Sequence, residues 1–251
     1  MARFAGRVAL VTGAGSGIGR AVALEFARQG AAVVALGRVE KRLTETVDLV
    51  TAAGGTASTV VADVTDADQI EAAVTTTVAR YGGLHIGVNN AASTRHGQLA
   101  DLSEEDFAAT FAANVTGTWL SMKHELRHMR AHGGGAIVNV SSVLGAHQRR
   151  TGAGAYAASK AAVATLSRVA ARENIDAGIR VNAVSPGPVD TPMSIRPGET
   201  AQDRAARVAT TVPIGRVATV EEIAAAVLWL ASPEAGYVVG HDLVVDGGAT
   251  A

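Results

Sequence analysis

The chain carries three tyrosines, at positions 81, 156 and 237, and three lysines, at 41, 123 and 160. Only Tyr156 has a lysine four residues on, and on a helix that spacing puts both side chains on one face. A phenol titrates near 10, too high for a base at neutral pH, and an ammonium beside it favours the phenolate. Tyr156 and Lys160 are therefore a candidate proton donor and acceptor, with Lys160 expected to pull the phenol pKa down. The same spacing arises by chance in about 4% of chains of this composition. A surface helix pair is the plain alternative, and position in the fold must separate the two.

A rarer motif competes with it. His124-Glu125-Leu126-Arg127-His128 has the His-Glu-x-x-His spacing of a zinc hydrolase, and His132 extends the column by a turn. Its chance occurrence is about 1%. A catalytic zinc needs three protein ligands and an open cleft. Here the helix runs directly into Gly133-Gly134-Gly135 and the next strand, whereas the ligand crevice of a parallel sheet lies at the strands' C-terminal ends, past Ser141. The histidines are read as helix surface at a subunit contact, and no metal site is expected.

Near the N-terminus, Thr12-Gly13-Ala14-Gly15-Ser16-Gly17-Ile18-Gly19 joins a first β-branched run to a first helix. Glycines at such a junction let backbone approach a pyrophosphate, whose charge the free N–H groups of the helix N-terminus hold. Gly-x-Gly-x-x-Gly is not in register, since Ile18 and Arg20 stand where it needs glycine, and the P-loop Gly-Lys-Ser/Thr is missing. The spacing that stands is Gly13-x-x-x-Gly17-x-Gly19. A dinucleotide is the expected occupant. At the end of the second run, Gly37 holds the position where an acid would bind the 2′-hydroxyl of NAD, and Arg38 follows, suited to the 2′-phosphate of NADP. NADP(H) is the expected preference, with NAD(H) also possible.

These groups need a scaffold that presents strand ends on one side. Short β-branched runs at Val8–Thr12, Val33–Leu36, Thr59–Asp63, Ile86–Asn89, Ile137–Ser141, Arg180–Val184 and Asp242–Val245 alternate with helix-length segments. That alternation means right-handed βαβ units, hence a doubly wound α/β fold with a parallel sheet. One helix spans Gly19–Gln29 and closes at Gly30; another starts at Thr219 with Ile223, Val227 and Leu230 on its face. Between Val184 and Asp242, Pro186, Pro188, Pro192 and Pro197, followed by the polar run Glu199–Arg207, predict a loop and a short mobile helix. With no repeat or linker, 1–251 reads as one domain, with a substrate lid at about 188–212.

Composition narrows the function classes. Hydrophobic residues make up 48% of the chain and charged residues 18%, too apolar for disorder. The absence of cysteine removes disulfides, thiolate metal sites and a cysteine nucleophile. A net charge of −1 with scattered basic residues argues against a nucleic-acid partner. No apolar run approaches a membrane span, and no signal segment precedes Val8, so a soluble cytoplasmic protein is expected.

Taken together, Thr12-Gly13-x-x-x-Gly17-x-Gly19, Asp63-Val64, Asn89-Asn90-Ala91, Asn114, Ser141-Ser142, Tyr156-x-x-x-Lys160, Pro186-Gly187 and Val245-Asp246-Gly247-Gly248 resemble the short-chain dehydrogenase/reductase family over essentially the whole length. The resemblance implies a Rossmann-type, seven-stranded sheet and a catalytic set of Asn114, Ser142, Tyr156 and Lys160. In it Ser142 holds the substrate oxygen, Tyr156 passes the proton, Lys160 binds the nicotinamide ribose, and Asn114 anchors a water relay. It implies cofactor contacts from Gly13, Ser16, Gly17, Ile18, Gly19, Arg38, Asp63, Val64, Asn90, Pro186, Gly187, Val189 and Thr191. Two departures stand out: Ala92 replaces the glycine of Asn-Asn-Ala-Gly, and the interval from Ser142 to Tyr156 is one residue longer than the family's, which leaves Ser141 as a rival for the serine role. The implied activity is an NADP(H)-preferring interconversion of a secondary alcohol and a ketone. Alternatives are an NAD-linked alcohol or polyol dehydrogenase, a β-ketoacyl carrier-protein reductase, and a nucleotide-binding regulator without turnover. Arg149, Arg150, Arg196, Glu199, Arg204 and Arg207 hint at a polar or acidic substrate, with solvated loop charge as the alternative. The helix at Thr219–Ala231 and the apolar last strand suggest a homotetramer or homodimer.

Overall fold

The computed structural model describes residues 2–195 and 198–251; Met1, Arg196 and Pro197 lie outside that description, and with them the expectation placed on Arg196. Seven strands, β1 (Val8–Thr12), β2 (Ala32–Gly37), β3 (Thr56–Val61), β4 (Ile86–Asn89), β5 (Gly135–Val140), β6 (Ile179–Pro186) and β7 (Asp242–Val245), form one parallel sheet in the order β3-β2-β1-β4-β5-β6-β7. Every pairing is parallel, in register from Val8↔Ala32 through Pro186↔Val245. The order reverses direction between β1 and β4, so the crevice beyond their C-terminal ends is the place where a ligand sits.

Alternation along the strands feeds two cores. Ala9 and Val11 of β1, with Val33 and Ala35 of β2, face α1 (Gly17–Arg28), α2 (Glu40–Ala52) and the late helix Val220–Ala231. Leu10, Val34 and Leu36 face the other side, where Ile70 and Val74 of α3 (Ala67–Tyr81) meet Leu120, Met129 and Ile137. Burial on both faces is what near-continuous apolar strands of a parallel sheet require.

The fourth helical stretch has three parts: α4 (Glu104–Phe111), a π-helical turn (Ala112–Thr116) and α5 (Gly117–Ala131). Then come α6 (Val143–Ala146), α7 (Gly154–Asn174), α8 (Ala201–Thr211) and α9 (Val220–Ala231). Thr200 with Asp203, and Thr219 with Glu222, close reciprocal capping boxes at the starts of α8 and α9, each satisfying two orphan donors. The polar run expected to be a short helix is thus a capped one, anchored by fully buried Val208. The third strand begins three residues earlier than the sequence predicts. As an edge strand it is only half-buried, so its apolar signal is diluted by Thr56, Ser58 and Thr59. No helix among the described residues is long and apolar enough to cross a membrane.

Candidate active site

At the reversal between β1 and β4 the glycine turn is held from two sides. Gly13 has φ +67°, and a Cβ there would come within 2.8 Å of the Asn90 amide nitrogen. A Cβ on Gly19 would run into the Gly13 carbonyl, so only glycine lets the first helical turn lie this close to the strand end. The Asn90 side chain donates to the carbonyls of Thr12 (3.1 Å) and Gly13 (3.3 Å), while its own N–H donates to Thr12 Oγ1 (3.0 Å). Asn90 thereby braces the turn, which leaves its Oδ1 as the atom for a ligand. Ser16 caps α1 in extended conformation with no side-chain bond to the helix, and with Gly17 and Ile18 it lines the cleft.

That cleft, of about 1220 Å³, runs from Arg38 and Asp63 to Tyr156 and Lys160. At the first end Gly37 sits with an added Cβ only 3.3 Å from Leu43 Cδ2, and Arg38 is largely exposed, its Nη1 3.7 Å from Asp63 Oδ2. Partial burial raises the Asp63 pKa, but hydrogen bonds from the Thr65 N–H and hydroxyl and the Arg38 charge outweigh it, so the carboxyl titrates below its usual range. Val64 is buried beneath Gly117, whose missing side chain makes room for it. Arg42, one helical turn after Arg38, also faces the cleft, a position the sequence reading did not single out.

At the second end Ser142 caps α6 and its hydroxyl stands in hydrogen-bonding reach of the Tyr156 phenol. Ser141 is spent elsewhere, donating to the Lys160 carbonyl at 2.9 Å, so Ser142 is the serine that meets the phenol. Lys160 is 2% exposed; its Nζ donates to the Val140 carbonyl at 2.7 Å and lies 5.8 Å from the Tyr156 ring centre. Burial lowers the ammonium pKa to about 8. The expectation that Lys160 pulls the phenol down is corrected here. Burial pushes the Tyr156 pKa up, the Ser142 hydrogen bond and the Arg150 charge offset part of that, and Lys160 spends its hydrogen bond on the strand.

Asn114 is fully buried inside the π-turn. Its Nδ2 donates to the Ser93 carbonyl and to Ser159 Oγ, both at 2.9 Å, and its Oδ1 accepts from Ser93 N–H at 2.8 Å. Ser159 in turn donates to the Tyr156 carbonyl at 2.7 Å. Asn114 therefore ties the loop after β4 to the helix carrying Tyr156 and Lys160. Ser93 and Ser159 were not foreseen, because nothing in a lone serine's sequence context marks a bracing contact. On the far wall Pro186, Gly187, Val189 and Thr191 line the cleft. Gly187 has Asp246 Cα 2.8 Å from where its Cβ would be, which explains why Pro186-Gly187 and the closing Asp246-Gly247-Gly248 occur together.

The His-Glu-x-x-His segment lies outside this cleft, on the same face of the sheet as the helix that carries Tyr156 and Lys160, and its reading as helix surface is corrected. His124 is 6% exposed and Glu125 is fully buried, where Gly87 leaves room for the carboxyl. Glu125 Oε2 accepts from Asn89 Nδ2 at 3.0 Å; Asn89 also donates to Asn139, which donates to Ser167. His128 Nε2 accepts the Leu84 N–H at 3.2 Å, and its ring stacks on that of exposed His132. The motif is spent on packing and on the loop before β4. The lid charges are also self-paired: Arg204 with Asp190 at 2.7 Å and Arg207 with Glu199 at 2.6 Å.

Comparison with known proteins agrees with this architecture. The protein family described as enoyl-(acyl carrier protein) reductase matches residues 13–250. A cis-4-hydroxycyclohexanecarboxylate dehydrogenase from Sinomonas cyclohexanicum is 47% identical, over 99% of this chain and 98% of its own. A 3-oxoacyl-acyl-carrier-protein reductase from Thermotoga maritima is 39% identical, over 98% of each. The crystal structure of a short-chain type dehydrogenase/reductase from Mycobacterium marinum, 34% identical, superposes with a TM-score of 0.90 over 98% of this chain and 96% of that one. With the seven-stranded parallel sheet, the glycine turn at its reversal point and Tyr156/Lys160 at the other end of one cleft, the chain belongs to the short-chain dehydrogenase/reductase family of NAD(P)(H)-dependent oxidoreductases.

Proposed function

We propose that the protein is an NADP(H)-preferring dehydrogenase that interconverts a secondary alcohol, carried on an apolar ring, with its ketone. The observation that carries this reading is the single cleft joining Arg38 to Tyr156, Ser142 and Lys160. The fit to a dinucleotide rests on the glycine cradle: the positions where a Cβ would strike Asn90 and the Gly13 carbonyl keep backbone N–H groups open to a pyrophosphate. Gly13, Ser16, Gly17, Ile18 and Gly19 would hold the phosphates, Asp63 and Val64 the adenine, and Asn90 Oδ1 a ribose hydroxyl. Pro186, Gly187, Val189 and Thr191 would wall the nicotinamide. Arg38, beside a glycine rather than an acid, favours the 2′-phosphate of NADP; its long pairing with Asp63 is weak enough to yield to a dianion. NAD(H) remains the second cofactor in this reading.

When bound, the nicotinamide supplies or accepts a hydride. The rest falls to the chain: a secondary alcohol and NADP+ give a ketone, NADPH and a proton. Ser142 Oγ and the Tyr156 hydroxyl fix the substrate oxygen, and the raised phenol pKa keeps Tyr156 protonated at neutral pH, ready to meet an alkoxide during ketone reduction. The Ser142 hydrogen bond and the Arg150 charge favour the phenolate that results, Lys160 would bind the nicotinamide ribose, and Asn114 holds the loop and helix on which these groups stand. The 188–212 segment would close over the substrate, in a single-domain subunit of a cytoplasmic homotetramer or homodimer. The ring preference rests on the Sinomonas relative; the Thermotoga relative supports a β-ketoacyl carrier-protein substrate as the second reading, and a regulator without turnover is the third.

The test mixes protein with NADPH or NADH and a panel of cyclic ketones and β-ketoacyl thioesters, following absorbance of the reduced nicotinamide. NADPH-linked reduction of cyclic ketones is expected, and Tyr156→Phe is expected to lower kcat roughly 100-fold or more. Near-normal turnover by that variant sinks the mechanism, and a preference for thioesters sinks the substrate reading.

A further inference from the structure

Asp242, on β7, is a buried acid that the chemistry of the cleft does not use, its side chain only 3% exposed. Its carboxyl meets two side chains. Ser185 Oγ donates to Oδ1 at 2.6 Å, and His147 Nε2 stands 2.9 Å from Oδ2. Serine, histidine and aspartate are the members of a hydrolytic triad, but such a triad needs the imidazole between the other two. Here the carboxylate is in the middle and Ser185 is fully buried, so the imidazole does not reach the serine's proton and no substrate reaches its oxygen. A carboxylate only accepts, which makes His147 Nε2 the donor. His147, Asp242 and Ser185 all stand outside the lining of the cleft.

What they hold is the short helix α6. Its four residues are too few to stay helical unaided, so contacts from outside must fix them. At its start Ser142 Oγ accepts the Leu144 N–H at 3.2 Å, and Ser142 lines the cleft together with Tyr156. In the middle Gly145 lies against α7, where an added Cβ would come within 3.0 Å of Ala161 N. At its end the His147 N–H donates to the Val143 carbonyl at 3.2 Å, one residue from Ser142, while the ring reaches across to β7. We infer that His147, held by Asp242 and Ser185, is a positioning residue for ketone reduction: it fixes the direction of α6 and through it the place of the Ser142 hydroxyl. The inference rests on the role proposed for Ser142 and adds what sets that hydroxyl's place. Ser185 immediately precedes Pro186-Gly187, so Asp242 ties the turn that carries Ser142 to the strand that ends in the far wall of the cleft. Displacing a reacting group by about 1 Å costs up to roughly 100-fold in rate, so a contact outside the cleft has room to act.

The experiment measures kcat and KM of the whole chain with NADPH and the cyclic ketone of the panel turned over fastest, for wild type, H147L, H147Q and D242N. H147L is expected to lower kcat at least ~10-fold and to leave KM for NADPH within about twofold, because the cofactor's own contacts are untouched. The amide of H147Q donates over nearly the same reach. That of D242N donates to the other imidazole tautomer while its oxygen still accepts from Ser185, so both variants are expected to keep about half of kcat or more. In an S142A background, adding H147L is expected to cost less than about twofold, since the hydroxyl to be positioned is gone. Hydrogen exchange of the Gly145, His147 and Gln148 amides reads the clamp without turnover, and H147L should speed it at least ~10-fold. The positioning role is overturned by a near-normal kcat in H147L, by H147Q and D242N as slow as H147L, by a loss as large in S142A as in wild type, by a KM for NADPH raised as far as kcat falls, or by unchanged exchange. Failure of wild type to reduce any ketone, with exchange still dependent on His147, overturns the activity and leaves the clamp standing.

Discussion

Replacing Glu125 by glutamine should make the protein relatively more stable at alkaline pH, by an amount set by the carboxyl's burial. Glu125 is fully buried, receives one hydrogen bond from Asn89, and has its Oε1 without a partner among the described residues. Burial raises its pKa from 4.5 to about 7. Below pH 4.5 both folded and unfolded chains hold the proton, and the stability contributed by the neutral carboxyl is fully present. As pH rises through about 7 it is lost, because the unfolded chain releases the proton first and the folded chain must then bury a carboxylate. The interval of roughly 2.5 units at 1.36 kcal/mol per unit gives about 3 kcal/mol in all, of which about 2 to 3 kcal/mol falls between pH 5 and 8. Glutamine keeps the shape and does not titrate. Urea unfolding of wild type and E125Q, followed by far-ultraviolet circular dichroism at one fixed protein concentration, measures the difference; equal concentrations remove the contribution of subunit association. The wild-type free energy should fall relative to that of E125Q as pH rises from 5 to 8. Parallel curves across that range would refute the assignment of this pKa to burial.

Lys160, with its pKa at about 8, is expected to impose an alkaline limb on ketone reduction: the rate falls as pH rises through about 8, where the ammonium that would position the nicotinamide ribose loses its proton. A rate profile from pH 6 to 10 at saturating NADPH checks this, and a flat profile across pH 8 argues against it. Gly37→Asp should reverse the cofactor preference, raising KM for NADPH roughly 10-fold and lowering it for NADH, since the new carboxylate repels a 2′-phosphate and accepts from a 2′-hydroxyl. The 3.3 Å approach to Leu43 Cδ2 is relieved by a small rotation of that side chain, so the variant should fold; unchanged KM values for both cofactors would reject the role of position 37.

The α/β alternation was legible because strands buried on both faces need continuous β-branched runs, and β1 with Val8, Leu10 and Val11 could be read directly. The edge strand β3, with its Thr and Ser, was misplaced for the opposite reason. In the site, Tyr156, Lys160 and the glycine turn were readable because spacing or steric exclusion dictates them. The destination of the Lys160 hydrogen bond was not, since it depends on which strand carbonyl lies above the helix. The burial of Glu125 was hidden for a related reason: the gap that admits it is made by Gly87, 38 residues away in sequence and on another element. Arg204 and Arg207 looked available for a substrate until Asp190 and Glu199 folded back to meet them.

The π-turn at Ala112–Thr116 fixes the phase of everything that follows it. A π-turn holds one residue more than the helix on either side, and each helical residue turns the face by about 100°. Deleting a single residue there would let the stretch from Glu104 to Ala131 run as one ordinary helix, at the cost of rotating α5 against the sheet. Asn114 would leave Ser93 and Ser159, and Glu125 would swing off the hollow over Gly87. One inserted residue thus keeps two distant contacts in step: the brace behind the helix of Tyr156 and Lys160, and the buried carboxyl that α5 lays over β4. A chain that lost it would have to re-solve both at once.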